Sequence, residues 1–226
     1  MPTTPVLDGR TIPKDSRIQE IVQQLKDLSP GDSLVLIAPH EPAKLLQLLV
    51  DDSSISLNWA PLEKGPDHWR WHFTARVSGT PRSVGEYLVW DHRRLEALLA
   101  QSLKLARAGL WPEAVLRFDE YDTGLRHHAD VEDVILFPAY EEASGNLPDG
   151  PAKLMMEEHH DVRLGLDRLL RAVRGNEMGE LQDAFGEFAD ELEGHHAKEE
   201  EILFPSIDTT LDQQQLRALV EKMLLA

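Results

Sequence analysis

Two stretches of the chain carry similar residues in the same order: HADVEDVILFP from His128 and HHAKEEEILFP from His195, 67 positions apart. In each, a histidine is followed four residues later by a glutamate, His128 by Glu132 and His195 by Glu199. On a helix that spacing puts an imidazole and a carboxylate on one side, a turn apart. The same offset relates His92 to His159, each preceded by an acid, Asp91 and Glu158. Imidazole nitrogens and carboxylate oxygens are ligands for transition metals, and a set without thiolate favours iron or manganese over structural zinc. His92, His128, Glu132, His159, His195 and Glu199 are therefore the candidate metal ligands.

Helices must position them. The apolar period predicts helices over about 82–108, 112–136, 151–174 and 177–203. Phe118, Tyr121, Leu125, His128, Glu132 and Ile135 step along one inward stripe, and Phe185, Phe188, Leu192, His195, Glu199 and Ile202 repeat it. The first helix offers Leu88, His92, Leu95, Leu99 and Leu103, and the third Met155, His159, Val162, Leu166 and Leu169. Four helices with short connections pack as an antiparallel bundle, here from one helical hairpin used twice. Any one of the six polar residues, taken alone, suits a hydrogen-bonded core side chain. Six at one repeat offset, each on an apolar seam, do not. An unpaired buried carboxylate costs several kcal/mol, and cations on the bundle axis would remove that cost.

The neighbouring His127, His160 and His196 lie about 100° round their helices and are expected to be solvated or outside the ligand set. Glu200 and Glu201 read as outer-face charge. Asp149, before Gly150-Pro151, is a start signal for the third helix, and Thr210 is the expected cap of a last short helix, LDQQQLRALVEKMLL.

Residues 1–80 have a different texture. SLVLIAP, SISLNWAPL and HWRWHFTARV read as strands, SRIQEIVQQLKDL as a helix, and Ala43–Val50 as a second short helix. The expected unit is a small α+β domain, β-α-β-α-β-β, over residues 1–78, with SGTPRS (78–83) as linker and the all-α bundle over 82–226. His40, His68 and His72 receive no role.

Forty acidic against 23 basic side chains leave a net charge of −17, and residues 81–226 carry −15 of it. Such a surface repels a phosphate backbone, so nucleic acid is not an expected partner. The absence of cysteine removes disulfides, thiolate metal sites and cysteine nucleophiles. No apolar run approaches the ~20 residues of a membrane helix, and MPTTPVLDGR lacks a signal-peptide core, so no membrane is expected and a cytoplasmic location is.

The ordered motifs Asp91-His92, His128-x-x-x-Glu132 with Ile135-Leu136-Phe137-Pro138, Glu158-His159, and His195-x-x-x-Glu199 with Ile202-Leu203-Phe204-Pro205 resemble the hemerythrin family, in its prokaryotic branch of HHE cation-binding domains. The resemblance covers roughly residues 82–206. It implies a non-haem di-iron centre of the Fe-O-Fe type, two iron ions with manganese as the second choice. His92, His128, His159 and His195 would be terminal ligands, and Glu132 and Glu199 bridges. Oxygen-carrying hemerythrins have a further histidine where this chain has Arg163, and an aspartate ligand near the end. The four-histidine, two-glutamate set is closer to bacterial iron–sulfur-cluster repair proteins, whose cysteine-bearing N-terminal segment is absent here. GRTIPKDSRI, LSPGDSLVLIAPHEPAKLL and GPDHWRWHF resemble a small domain of unknown function related in fold to the TusA/SirA sulfur carriers and found fused to HHE domains.

The function expected from this reading is binding or sensing of O2 or NO at the di-iron site, with the N-terminal domain making a protein contact. The alternatives are a di-iron redox enzyme, reducing NO or breaking down peroxide, and an iron donor or store for cluster repair.

Overall fold

The computed structural model describes residues 4–77, 82–145 and 150–226. The chain divides into two compact units, one of residues up to 81 with Glu221–Ala226, the other Arg82–Val220. Most of the expected linker (78–81) and Asp149 lie outside the described residues.

The first unit has β1 (Val6–Asp8), α1 (Arg17–Lys26), β2 (Ser33–Ala38), α2 (Ala43–Asp51), β3 (Leu57–Lys64) and β4 (Trp69–Ala75). The expected element order holds. The strands form one sheet in the order β1-β2-β4-β3, with β1 parallel to β2 and the other pairs antiparallel. Period-2 alternation explains its interior: Leu34 pairs with Phe73 and Leu36 with Trp71, while Trp59 meets Phe73 from the other side. Ile21 and Leu25 of α1 and Leu45, Leu46 and Leu49 of α2 are buried with them. The Trp59 indole donates to the Leu224 carbonyl at 2.8 Å, fixing the chain's last residues in this unit.

The second unit is the antiparallel four-helix bundle of α3 (Val84–Arg107), α4 (Trp111–Val131), α6 (Pro151–Gly175) and α7 (Met178–Lys198). Ser83 caps α3, its hydroxyl accepting from the Glu86 amide at 3.0 Å. Gly109, at φ 75°, turns the chain from α3 into α4, and Asn176, also left-handed, ends α6. The long helices α4 and α7 each run into a wide π turn, Glu132–Leu136 and Glu199–Leu203, then continue as α5 (Phe137–Ser144) and α8 (Phe204–Thr210).

Those π turns correct the expected stripes. In each, an amide reaches back five residues, Phe137 to the Glu132 carbonyl and Phe204 to Glu199. Pro138 and Pro205 lack the amide of the next ordinary helical bond, which is where the ladder can slip. The extra residue rotates the downstream turns of each helix. Leu136, Phe137 and Tyr140 are buried in place of Ile135, which is only half-buried; Leu203, Phe204 and Ile207 are buried, and Ile202 is 63 % exposed. The rest of the four seams is buried as expected, apart from a half-buried Phe185. The last helix, α9 (Gln213–Leu225), is capped by Asp212, which accepts from the Gln214 and Gln215 amides. Thr210 instead bonds back to the Ser206 carbonyl inside α8.

Candidate metal centre

Each bundle helix delivers one imidazole to the interior, and the two π turns begin at the two glutamates. His92 comes from α3, His128 from α4, His159 from α6 and His195 from α7. All six candidate ligands are at most 3 % exposed. Their tips converge. Glu132 Oε2 stands 3.3 Å from both His128 Nε2 and His159 Nε2. Glu199 reaches both hairpins too, with Oε2 at 3.3 Å from His92 Nε2 and Oε1 at 3.0 Å from His195 Nε2. Among the described residues, two groups could each hold an ion: Glu132, His159, His195 and Glu199, and His92, His128 and Glu199, with the ligand atoms of each group within 4.8 Å of one another.

The inward atoms crowd one another, His92 Nε2 and His128 Nε2 standing 3.1 Å apart. Neither oxygen of Glu132 or Glu199 receives a well-directed hydrogen bond, and neither does His159 Nε2, although imidazole nitrogens stand close by. Two buried carboxylates with no hydrogen bond would each cost several kcal/mol unless positive charge stands beside them. Metal cations between the imidazoles and carboxylates would satisfy these atoms, so the residues present fit the group.

The far side of each ring is also specified. His92 Nδ1 donates to Glu200 at 2.7 Å and His159 Nδ1 to Asp133 at 2.7 Å. His128 Nδ1 donates to Asp91 at 3.0 Å and His195 Nδ1 to Glu158 at 3.1 Å. A proton held at Nδ1 leaves Nε2 with a free lone pair for a metal and raises its basicity. These four acceptors obey the repeat as well: Asp133 and Glu200 are 67 apart, as are Asp91 and Glu158. Three of the four have a cationic partner: Arg94 holds Asp91 at 2.7 Å, Arg163 holds Asp133 at 2.9 Å, and Lys198 pairs with Glu158, while Glu200 is partly exposed.

The charges interlock. Burial pushes the His92 imidazole down, but Glu199, Glu132 and Glu200 outweigh it and raise it to about 9. His159 is likewise raised to about 10 against its burial, by Asp133 and Glu132. Burial works to raise the Glu199 carboxyl, and the His195 and His92 imidazoles hold it well below the usual range. Without a metal the cluster keeps protons where cations would sit.

Of the two placements expected for the neighbouring histidines, solvated or outside the ligand set, His127 and His196 take the second, and only Glu200 needs correction. His127 and His196 are 8 % and 7 % exposed, not solvated. His196 stacks on the His92 ring, centroids 3.7 Å apart and planes 12° apart, and burial together with His92 and His128 pushes it down to about 2, so its ring is neutral. Glu200 is not idle outer-face charge, because it orients His92. The signal for Glu200 was present in its repeat relation to Asp133, one residue after each glutamate of the seam. His160 is exposed, as expected.

Fold and cluster together define a metal-binding four-helix-bundle protein. Residues 84–177 and 150–224 match the family described as the hemerythrin HHE cation binding domain, and the chain belongs to that family. Residues 6–75 match a second family, described as an uncharacterized conserved protein (DUF2249). No curated protein and no solved structure matches the chain closely enough to add to this. No helix among the described residues is long and apolar enough to cross a membrane.

Proposed function

We propose that the chain is a non-haem di-iron protein that binds or senses O2 or NO. His92 and His128 would hold one iron, His159 and His195 the other, and Glu132 and Glu199 would be shared between them. The observation that carries this is the placement of each glutamate between imidazoles of both hairpins, with its oxygens free of hydrogen bonds. Four imidazoles and two bridging carboxylates supply about eight of the roughly 12 donors that two octahedral ions need, which leaves places for small ligands. Iron in such a site supplies reversible electron transfer to a diatomic gas.

The chain's own residues do the rest. Asp91, Glu158, Asp133 and Glu200 hold the protons at Nδ1 and so keep four Nε2 lone pairs inward. Phe137 stacks on His159 at 5.8 Å and Phe204 lies 5.8 Å from His92. Those rings exclude water, favouring small neutral gases over hydrated anions.

The test is metal analysis of freshly purified protein with spectra under argon, air and NO. About two irons per chain and an optical change that reverses on cycling the gas are expected. Iron retained at that level with no spectral response to either gas would overturn the gas-binding role.

A further inference from the structure

The two hairpins of the bundle repeat one another and diverge at one groove. Between α6 and α7 lies a cavity of about 290 Å³ whose lining includes Glu158, Asp161, Glu191, Gly194, His195 and Lys198. The positions 67 residues earlier are occupied by Asp91, Arg94, Gly124, His127, His128 and Val131. That matching groove between α3 and α4 is filled. Arg94 is 6 % exposed and lies against Gly124, so that a Cβ there would come within 2.9 Å of its guanidinium. His127 and Val131 are buried where the other hairpin has an open glycine and a half-exposed lysine.

We propose that metal cations reach and leave the buried centre through the α6–α7 cavity, by way of His195, with Lys198 as the gate. The inference rests on the metal-centre reading above. His195 belongs both to the cavity lining and to the buried ligand cluster. Four carboxylates line the cavity, Asp190 being the fourth, against one ammonium, and that field concentrates divalent cations at its mouth. The ammonium of Lys198 is paired with Glu158, the acceptor for His195 Nδ1. An arriving cation competes with Lys198 for Glu158 and then meets His195, whose Nε2 stands 3.0 Å from Glu199. The half of the centre held by His159 and His195 fills first. The half held by His92 and His128, behind Arg94 and His127, fills through it.

The experiment adds Fe²⁺ alone, anaerobically, to the metal-stripped full chain and counts bound iron at intervals after quenching with a chelator. Gly194→His puts into the open groove the residue that closes its counterpart, and no atom lies within 4 Å of a Cβ added there. Gly186→His, equally unobstructed on the same helix, is the control. Uptake by Gly194→His should be about tenfold slower, with unchanged final iron content, while the control keeps the original rate. An unaltered rate in Gly194→His overturns the port. Should that variant not fold, Lys198→Met decides: uptake about threefold faster upholds the gate, and an unchanged rate overturns it. An unaltered chain that takes up no iron would overturn the metal centre itself, and the port with it.

Discussion

The two compact units bury their interiors in opposite ways. The sheet unit closes over Leu36, Trp59, Trp71 and Phe73, and Asn58 is its one buried polar side chain among the described residues. Among the described residues the bundle buries six histidines and three glutamates, with Asp91 and Arg94 beside them. Histidines occur in both units, but His40 is exposed and bonds a neighbouring carbonyl, and His68 pairs with Glu63 near the surface. The difference teaches that residue type alone says little about chemistry. Ionisable groups become a site where a fold withdraws them from water together, because only then does their mutual charge require a counter-ion.

The largest expected effect is on the iron that the bundle is proposed to hold. Glu199→Ala removes a carboxylate that belongs to both ligand groups, and most of the iron should be lost while circular dichroism still reports a helical chain. Retention of full iron content would break the contrast between the units, since the centre would then not depend on its buried charge.

Phe73→Ala sharpens the contrast from the other side. Removing a fully buried ring from the sheet unit should cost about 3–5 kcal/mol in that unit's unfolding free energy. Iron per folded chain should not change. A parallel loss of iron would show that the two interiors are not independent.

Acidity separates the units next. In metal-free protein His92 and His159 are raised from an ordinary value of 6.5 to about 9 and about 10, so the stability they lend is complete below pH 6.5 and disappears as pH rises through 9 to 10. The bundle's melting temperature should therefore fall over that window when a chelator is present. Iron competes with the same protons, so loaded protein should lose this slope, and iron affinity should weaken on acidification. Thermal melts with and without chelator check both; a flat metal-free profile would show that the imidazoles carry no extra protons.

The smallest effect belongs to the histidines beside the proposed ligands. His127→Ala should leave iron content nearly intact, and so should His196→Ala, although the latter removes a ring stacked on His92 and should slightly lower the melting temperature. Substantial iron loss in either variant would widen the ligand set beyond six.

Much of the bundle was legible because a duplicated hairpin writes its constraints twice. A seam residue such as His92 is ambiguous alone, but its partner at His159 on the same kind of face makes an accident of packing untenable. The β-α-β-α-β-β order was legible too, from alternation and from Pro and Gly breaks. The π turns were not, since period 3.6 was extrapolated through Ile135 and Ile202 and the wide turn moves the inward face on by one residue. The choice between solvated and buried for His127 and His196 stayed open for a related reason: a position 100° from the seam can still face a neighbouring helix, which one helix's pattern does not contain.

The amino-acid order by itself determined which six side chains turn toward the bundle axis, because helical spacing and the repeat offset are local properties of the chain. Tertiary structure alone decided that Glu132 and Glu199 each stand between histidines of both hairpins, that Glu200 answers His92 across helices, and that one groove is filled while its twin stays open. Those are distances between segments far apart in the chain, set by how whole helices pack, and no spacing along one helix encodes them.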